Sequence, residues 1–153
     1  MKAITTSKQG KDLIKKYEGF RAKPYLCPAK VPTIGYGATY YPDGRKVKLT
    51  DSAISEGFAT NLLEVMLTPY EKAVDSFCRD DINQNQFDAL VSFAYNLGVT
   101  ALKNSTLLKK VNANPNDKTI RNEFLKWRFA GKKELLGLKK RREEESYLYF
   151  TKL

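Results

Sequence analysis

Histidine is absent from this chain of 153 residues, and its absence removes more chemistry than any motif adds. Without it there is no Ser-His-Asp or Cys-His pair, and none of the imidazole-bound zinc that many hydrolases use. Cysteine is scarce. Cys27 and Cys78 are the only two, too few for a disulfide framework or a four-ligand zinc site. Acid–base work is left to carboxylates, thiols, tyrosines and lysines, and no cofactor or metal is expected. No apolar run approaches the roughly 18 residues of a membrane-spanning helix. Met1 to Phe20 is interrupted by Lys2, Lys8, Lys11, Lys15 and Lys16, so it lacks the apolar core of about 7–15 residues found in signal peptides. The expectation is a protein that accumulates in the cytosol that makes it, with both thiols reduced. Repeats, low-complexity tracts and Gly/Ser-rich linkers are missing too, which leaves one continuous domain, residues 1–153.

What is present is charge of one sign. Twenty-seven basic residues against 17 acidic give a net charge of +10. Both chain ends are basic and the middle is acidic. Such asymmetry suits a polyanionic partner, either nucleic acid or a bacterial envelope, and charge alone does not choose between them.

The elements read as mostly helical, with one small sheet inserted early. Ser7 can cap a helix through about Tyr17, stopped by Gly19. From Arg21 to Leu49, Pro24, Pro28, Pro32, Gly35, Gly37, Pro42 and Gly44 punctuate short runs of Tyr, Val, Ile and Thr. This reads as a small antiparallel sheet with turns near Pro28–Lys30 and Pro42–Gly44. Thr50 and Asp51 can open a long helix towards Phe77, with Ala53, Ile54, Phe58, Leu62, Val65 and Met66 at helical spacing and a break or bend near Pro69. Asn83 with Gln86 resembles a capping box. It precedes Phe87 to Leu97, apolar nearly all round, the expected central buried helix. Ser105 can cap a helix through Val111, and Asp117 another through about Trp127. A last helix covers about Leu138 to Phe150.

Glu18 falls at the end of the first helix. There the negative end of the helix dipole, with Tyr17 and Phe20 on either side, disfavours its charged form, as a general acid requires. Cys27 and Thr33 follow on a proline-stiffened loop. By spacing alone, Cys27 reads equally as a small buried apolar residue and Thr33 as a strand residue.

The stretch Glu18-Gly19-Phe20-Arg21-Ala22-Lys23-Pro24-Tyr25-Leu26-Cys27, followed by Thr33-Ile34-Gly35-Tyr36-Gly37, closely resembles the catalytic segment of phage-type lysozymes, glycoside hydrolase family 24. The family pattern is Glu, eight residues, Asp or Cys, five residues, Thr, and Glu18, Cys27 and Thr33 match it. Gln86 to Gly98 resembles the family's central helix. Ser105-Thr106-Leu107-Leu108, Trp127 and Gly137 to Glu143 follow in family order. The chain departs from the pattern at Ala38, where members commonly carry His, and in the loop Tyr40 to Lys48.

The resemblance implies an α+β, mostly α, two-lobed lysozyme-like fold with a cleft. A β-containing lobe would span about 18–50, a connecting helix about 51–77 and a helical lobe about 78–153, with helix 7–17 packed on the last. It implies an endolysin that hydrolyses the β-1,4 bond between N-acetylmuramic acid and N-acetylglucosamine in peptidoglycan, with inversion, for host cell lysis. Glu18 would be the acid, and Cys27 and Thr33 would hold and activate water. Arg141 or Arg142 would orient Glu18, and Tyr95, Asn96 and Ser105 would contact saccharide. Residues 139–145 read without the resemblance are a solvated charged helix face. The expected partner is the glycan strand, with no nucleic acid and no second protomer. A separate holin would release the enzyme from the host cytoplasm to the periplasm and wall. The rivals are a lytic transglycosylase or chitinase-like activity on the same scaffold, a catalytically dead structural relative, and a basic nucleic-acid-binding protein. The last shows no zinc-finger, KH or RRM signature.

Overall fold

The computed structural model describes residues 4–153; Met1 to Ala3, the start of the N-terminal stretch read above, lie outside the described residues. The chain forms α1 (Lys8–Glu18), β1 (Arg21–Leu26), β2 (Pro32–Gly35), α2 (Glu56–Phe77), α3 (Gln84–Leu97), α4 (Val99–Asn104), α5 (Thr106–Ala113), α6 (Ile120–Leu125), β3 (Phe129–Ala130), β4 (Lys133–Glu134) and α7 (Leu136–Phe150). Its contacts gather into two units. One is Glu18–Thr68; the other is the chain up to Tyr17 with Pro69–Leu153. The division falls inside α2, at Pro69, which the helix accommodates without interruption.

In the unit Glu18–Thr68, β1 and β2 pair antiparallel with Tyr25 opposite Thr33 and Leu26 opposite Pro32. The sheet is smaller than the sequence suggests. Beyond these strands only the bridges Ile34–Ala38 and Tyr40–Lys46 form. Ala38 is buried and its backbone bonds Ile34 in both directions at 2.9 Å. The long helix begins later than Thr50 and Asp51 predict. The Asp51 carboxylate instead accepts the Lys48 N–H at 2.9 Å and the Tyr41 hydroxyl at 2.7 Å, closing a loop. Ser55 is the actual cap, its Oγ accepting the Phe58 N–H at 3.1 Å. The buried face of α2 is correspondingly Ala59, Leu62, Leu63, Met66 and Leu67, while Phe58 is exposed.

The other unit is built around α3. Asn83 and Gln86 form the expected capping box, and residues 85–94 are all buried. α7 packs on it and α6 packs on α7, with Phe93 edge-on to Phe124 and Trp127 at centroid separations of 5.9 and 5.4 Å. Ser105 caps α5, as expected. The short α4 and the β3–β4 hairpin, turned at Gly131 with φ 62°, are additions to the sequence reading. α6 is shorter than expected, because Asp117 spends its carboxylate on the N–H and hydroxyl of Thr119.

α1 is tied into this unit by its N-terminus. Glu71 accepts both the N–H and hydroxyl of Thr6 at 2.7 Å, and Asp88 accepts the N–H and hydroxyl of Ser7. Asp88 is fully buried; burial pushes its carboxyl above the usual range against the pull of its Ser7 and Gln84 donors. Gly10 lies against it. A Cβ at position 10 would come within 2.7–2.8 Å of Asp88 and Thr6 carbons. Gly10→Ala is therefore expected to destabilise by about 1–3 kcal/mol through overpacking, although a helical Gly→Ala ordinarily gains up to about 1 kcal/mol. Gly57→Ala, at an open position of α2, should give the ordinary gain. Urea denaturation of the two variants measures both signs.

Candidate active site

Glu18 is the last residue of α1 and is half-buried. Gly19 takes φ 75°, the left-handed conformation that ends a helix, and β1 starts at Arg21. The antiparallel return then fixes the other residues. Thr33 is buried in β2 opposite Tyr25, and Cys27 opens the turn joining the strands.

That turn is closed by backbone hydrogen bonds. The Cys27 N–H donates to Val31 O at 3.1 Å and the Lys30 N–H to Cys27 O at 2.7 Å, with Lys30 at φ 62°. Hydrogen bonds from the Val31 N–H, then the Ala29 N–H and the Thr33 hydroxyl, lower the Cys27 thiol below its ordinary value, with partial desolvation opposing them. The Cys27 side chain is neither a buried spacer nor paired with a cation. Cys78, by contrast, is buried beyond the end of α2.

Thr33 also donates to Val31 O at 2.8 Å. A hydroxyl has one proton and two acceptor sites. Facing a thiol, Thr33 can accept from sulfur and donate to Val31; facing a thiolate, its proton can turn to sulfur. The pair can thus take up or release a proton without moving a heavy atom.

Tyr25 belongs to the same group and was not singled out in the sequence. Its phenol is raised first by burial, and also by the charges of Glu18 and Cys27, with Arg21 opposing. The Arg21 guanidinium stands 4.2 Å from the Tyr25 ring centroid. The hint lay in the ladder: residues opposite each other on paired strands share a face.

In the helical unit, Arg141 and Arg142 are both buried, which overturns the reading of 139–145 as a solvated face. Both turn to Glu145, itself fully buried. Arg141 Nε lies 3.3 Å and Arg142 Nη2 3.1 Å from Glu145 Oε2, and Arg142 Nε lies 2.7 Å from Oε1. Ser92 donates to Glu145 at 2.5 Å, and Arg141 donates to Ser92 O at 3.2 Å. Arg142 also donates to Asn96 Oδ1 at 2.8 Å. The Arg141 guanidinium stands 5.9 Å from the Tyr17 ring centroid. A cavity of about 320 Å³ opens here, lined by Tyr17, Asn96, Leu135, Leu138 and Arg141. Tyr95 is half-buried, edge-on to Tyr70 at 5.1 Å. Ser105 is buried, donating to Leu102 O at 2.7 Å and accepting from Leu108 N–H at 3.0 Å. A saccharide could reach its hydroxyl only by displacing the α5 cap. Among the described residues no cluster of His, Cys, Asp or Glu could hold a metal ion, and no helix is long and apolar enough to cross a membrane.

The profile of the phage lysozyme family matches residues 15–145. An endolysin of Bacillus phage B103 is 46% identical over 150 residues, 97% of this chain, which spans only 55% of that relative's length. The endolysin of Salmonella phage P22 is 36% identical over 140 residues, 92% of this chain and 94% of that protein. The structure of a P22 lysozyme mutant superposes with a TM-score of 0.86 at 35% identity, over 96% of this chain and 99% of that one. Sequence and fold agree across nearly the whole length, and the chain belongs to the phage lysozyme family of glycoside hydrolases.

Proposed function

We propose that the chain hydrolyses the β-1,4 bond between N-acetylmuramic acid and N-acetylglucosamine in bacterial peptidoglycan, with inversion. The observation that carries this reading is the pairing of β1 with β2, which sets Thr33 beside the turn of Cys27, where hydrogen bonds lower the thiol from its ordinary value. An inverting glycosidase needs one group to protonate the leaving oxygen and a second to activate water on the opposite sugar face. Glu18 takes the first role. The Cys27 thiolate accepts a proton from water that Thr33 helps to hold. A carboxylate is the family's alternative at position 27, and a thiolate supplies the same charge.

Of the two arginines, Arg141 takes the orienting role towards Glu18, because its guanidinium already lies over Tyr17, the preceding residue. Arg142 braces it through Glu145 and Asn96. Asn96 contacts saccharide at the cavity beside Arg141, and Tyr95, the residue before it, does so as well. The enzyme acts as a monomer in host cell lysis, passing from the cytoplasm to the wall once a separate holin has opened the membrane. Its positive charge favours capture by the acidic wall.

Glu18→Gln keeps the shape and loses the proton, so turnover on peptidoglycan should fall about 10²–10⁴-fold with the melting temperature unchanged; activity above a tenth of the parent contradicts the assignment. The pH profile separates the roles of Cys27. In the parent, kcat/KM should rise with pH as the thiolate forms, and a small alkylating reagent should inactivate along the same limb, with or without Cys78. A carboxylate stays charged down to about pH 4, so Cys27→Asp should retain substantial activity with its acid limb moved to lower pH, while Cys27→Ala loses most activity. An unmoved limb would mean that Cys27 does not titrate in the reaction. The arginines should separate by readout. Arg142→Met removes a partner of buried Glu145 and should cost about 3–5 kcal/mol of stability; Arg141→Met should cost turnover more than its neighbour does at a temperature where both variants are folded.

A further inference from the structure

The face of α7 opposite Arg141 and Arg142 has a composition that packing does not explain. Tyr147 is 78% exposed, although an aromatic ring is among the most favourable groups to bury. No described ring stacks on it. One turn on, Phe150 is 38% exposed, its ring held edge-on against Tyr149 at 4.9 Å. These two rings border a groove of about 720 Å³ between α7 and Arg121 of α6, closed by Lys140, Glu143 and Lys152. A second groove of about 540 Å³, lined by Leu13 and Lys16 of α1, meets the first along Tyr147, so the ring stands as a ridge between the two.

Glu144 also lines the first groove and is spent on Lys16 and Tyr17, but the groove's other charges are not used internally. Arg121, Lys140, Lys152 and Glu143 form no side-chain ion pair with any described residue, although Lys140 and Glu143 are one helical turn apart. Elsewhere in this unit Glu123 is engaged with Lys110 and Lys126, and Glu145 with both arginines. Three uncommitted cations, one uncommitted carboxylate and two aromatic rings fit one chemical class, an acidic polysaccharide. The C–H face of a pyranose carries partial positive charge and stacks on the electron-rich face of an aromatic ring. Sugar hydroxyls and amides donate to Glu143, while carboxylates borne by the polymer meet Arg121, Lys140 and Lys152.

We infer that the Tyr147 ridge with the groove of Arg121, Lys140 and Lys152 is a second glycan-binding site, holding the acidic wall polymer without cleaving it. The inference rests on the peptidoglycan reading above. It adds a surface that keeps the enzyme on an insoluble substrate between cuts, which a short soluble chain would not need.

The test uses the full chain. Retention on purified insoluble peptidoglycan sacculi is measured by co-sedimentation in a Glu18→Gln background, so that the substrate survives. Turnover of a short soluble muramyl oligosaccharide is measured with Glu18 intact. Tyr147→Ala should weaken retention at least fivefold and leave soluble turnover within twofold. Lys140→Ala with Lys152→Ala should weaken retention and flatten its salt dependence. Tyr147→Phe should retain most binding, which controls for folding. Retention of Tyr147→Ala equal to its parent overturns the second site, as does an equal loss on soluble and insoluble substrates, which would place Tyr147 in the main groove. Concentration-dependent dimerisation abolished by Tyr147→Ala would reassign the face to a second copy of the chain and also overturn it. If the unsubstituted chain neither cuts nor binds sacculi, the peptidoglycan reading fails and the second site falls with it. If it cuts them and Tyr147→Ala has no effect, only the second site fails.

Discussion

Hydrogen bonds from the turn that carries Cys27 lower its thiol from the ordinary value, and the catalytic reading depends on that turn. No histidine or nearby cation pulls the thiol down; the Val31 and Ala29 N–H groups and the Thr33 hydroxyl do. Each donor has a backbone cause. Lys30 accepts a left-handed conformation that costs an L-residue roughly 1–2 kcal/mol, and in return the turn closes on the Lys30 N–H to Cys27 O and Cys27 N–H to Val31 O bonds. The register that sets Tyr25 opposite Thr33 brings the hydroxyl to the same place. A slip of one residue would turn Thr33 to the other face. A thiolate held in this way would be preorganised, because fixed dipoles need no rearrangement as charge develops.

The helical unit solves a different problem, the burial of two guanidiniums beside each other. Glu145 neutralises one equivalent of charge, and Ser92 and Asn96 satisfy further polar atoms. Burial pulls Arg142 below the ordinary guanidinium value, with Glu145 opposing. Replacing one member of such a group leaves a buried charge uncompensated, which is costly. The network hangs on the contact between α3 and α7. Ser92 and Asn96 project from one helix, and Arg141, Arg142 and Glu145 from the other. Leu148 and Tyr149 of α7 are buried with the network, each large apolar side chain contributing roughly 1.5–3 kcal/mol.

Local rules in the sequence were legible. The Asn83–Gln86 capping box, the Ser105 cap and the apolar run of α3 follow from residues a few positions apart, and the structure has all three. Asp51 misled because its partners, Tyr41 and Lys48, come from a loop that only the folded chain brings near. The β3–β4 hairpin escaped because strands of two residues carry no periodicity. The charged run from Lys139 to Glu145 reads as solvated at helical spacing, since nothing local shows that Ser92 and Asn96 wait across an interface. At the site, helix position pointed to Glu18, and the family resemblance to Cys27 and Thr33, which spacing alone left open. The lowered thiol and the place of Tyr25 required the strand register and the turn.

The most direct test of the central claim, that the Cys27 thiolate and Thr33 activate water for inversion at a muramyl linkage, is the chemistry of the new chain end. Peptidoglycan glycan strands are cut in ¹⁸O-labelled water, the first-formed anomer is read by NMR, and the fragments are identified by mass spectrometry. The account predicts reducing N-acetylmuramic acid ends, initially in the α configuration, each carrying one solvent oxygen. Anhydro ends without solvent oxygen, or an initial β anomer, would contradict it.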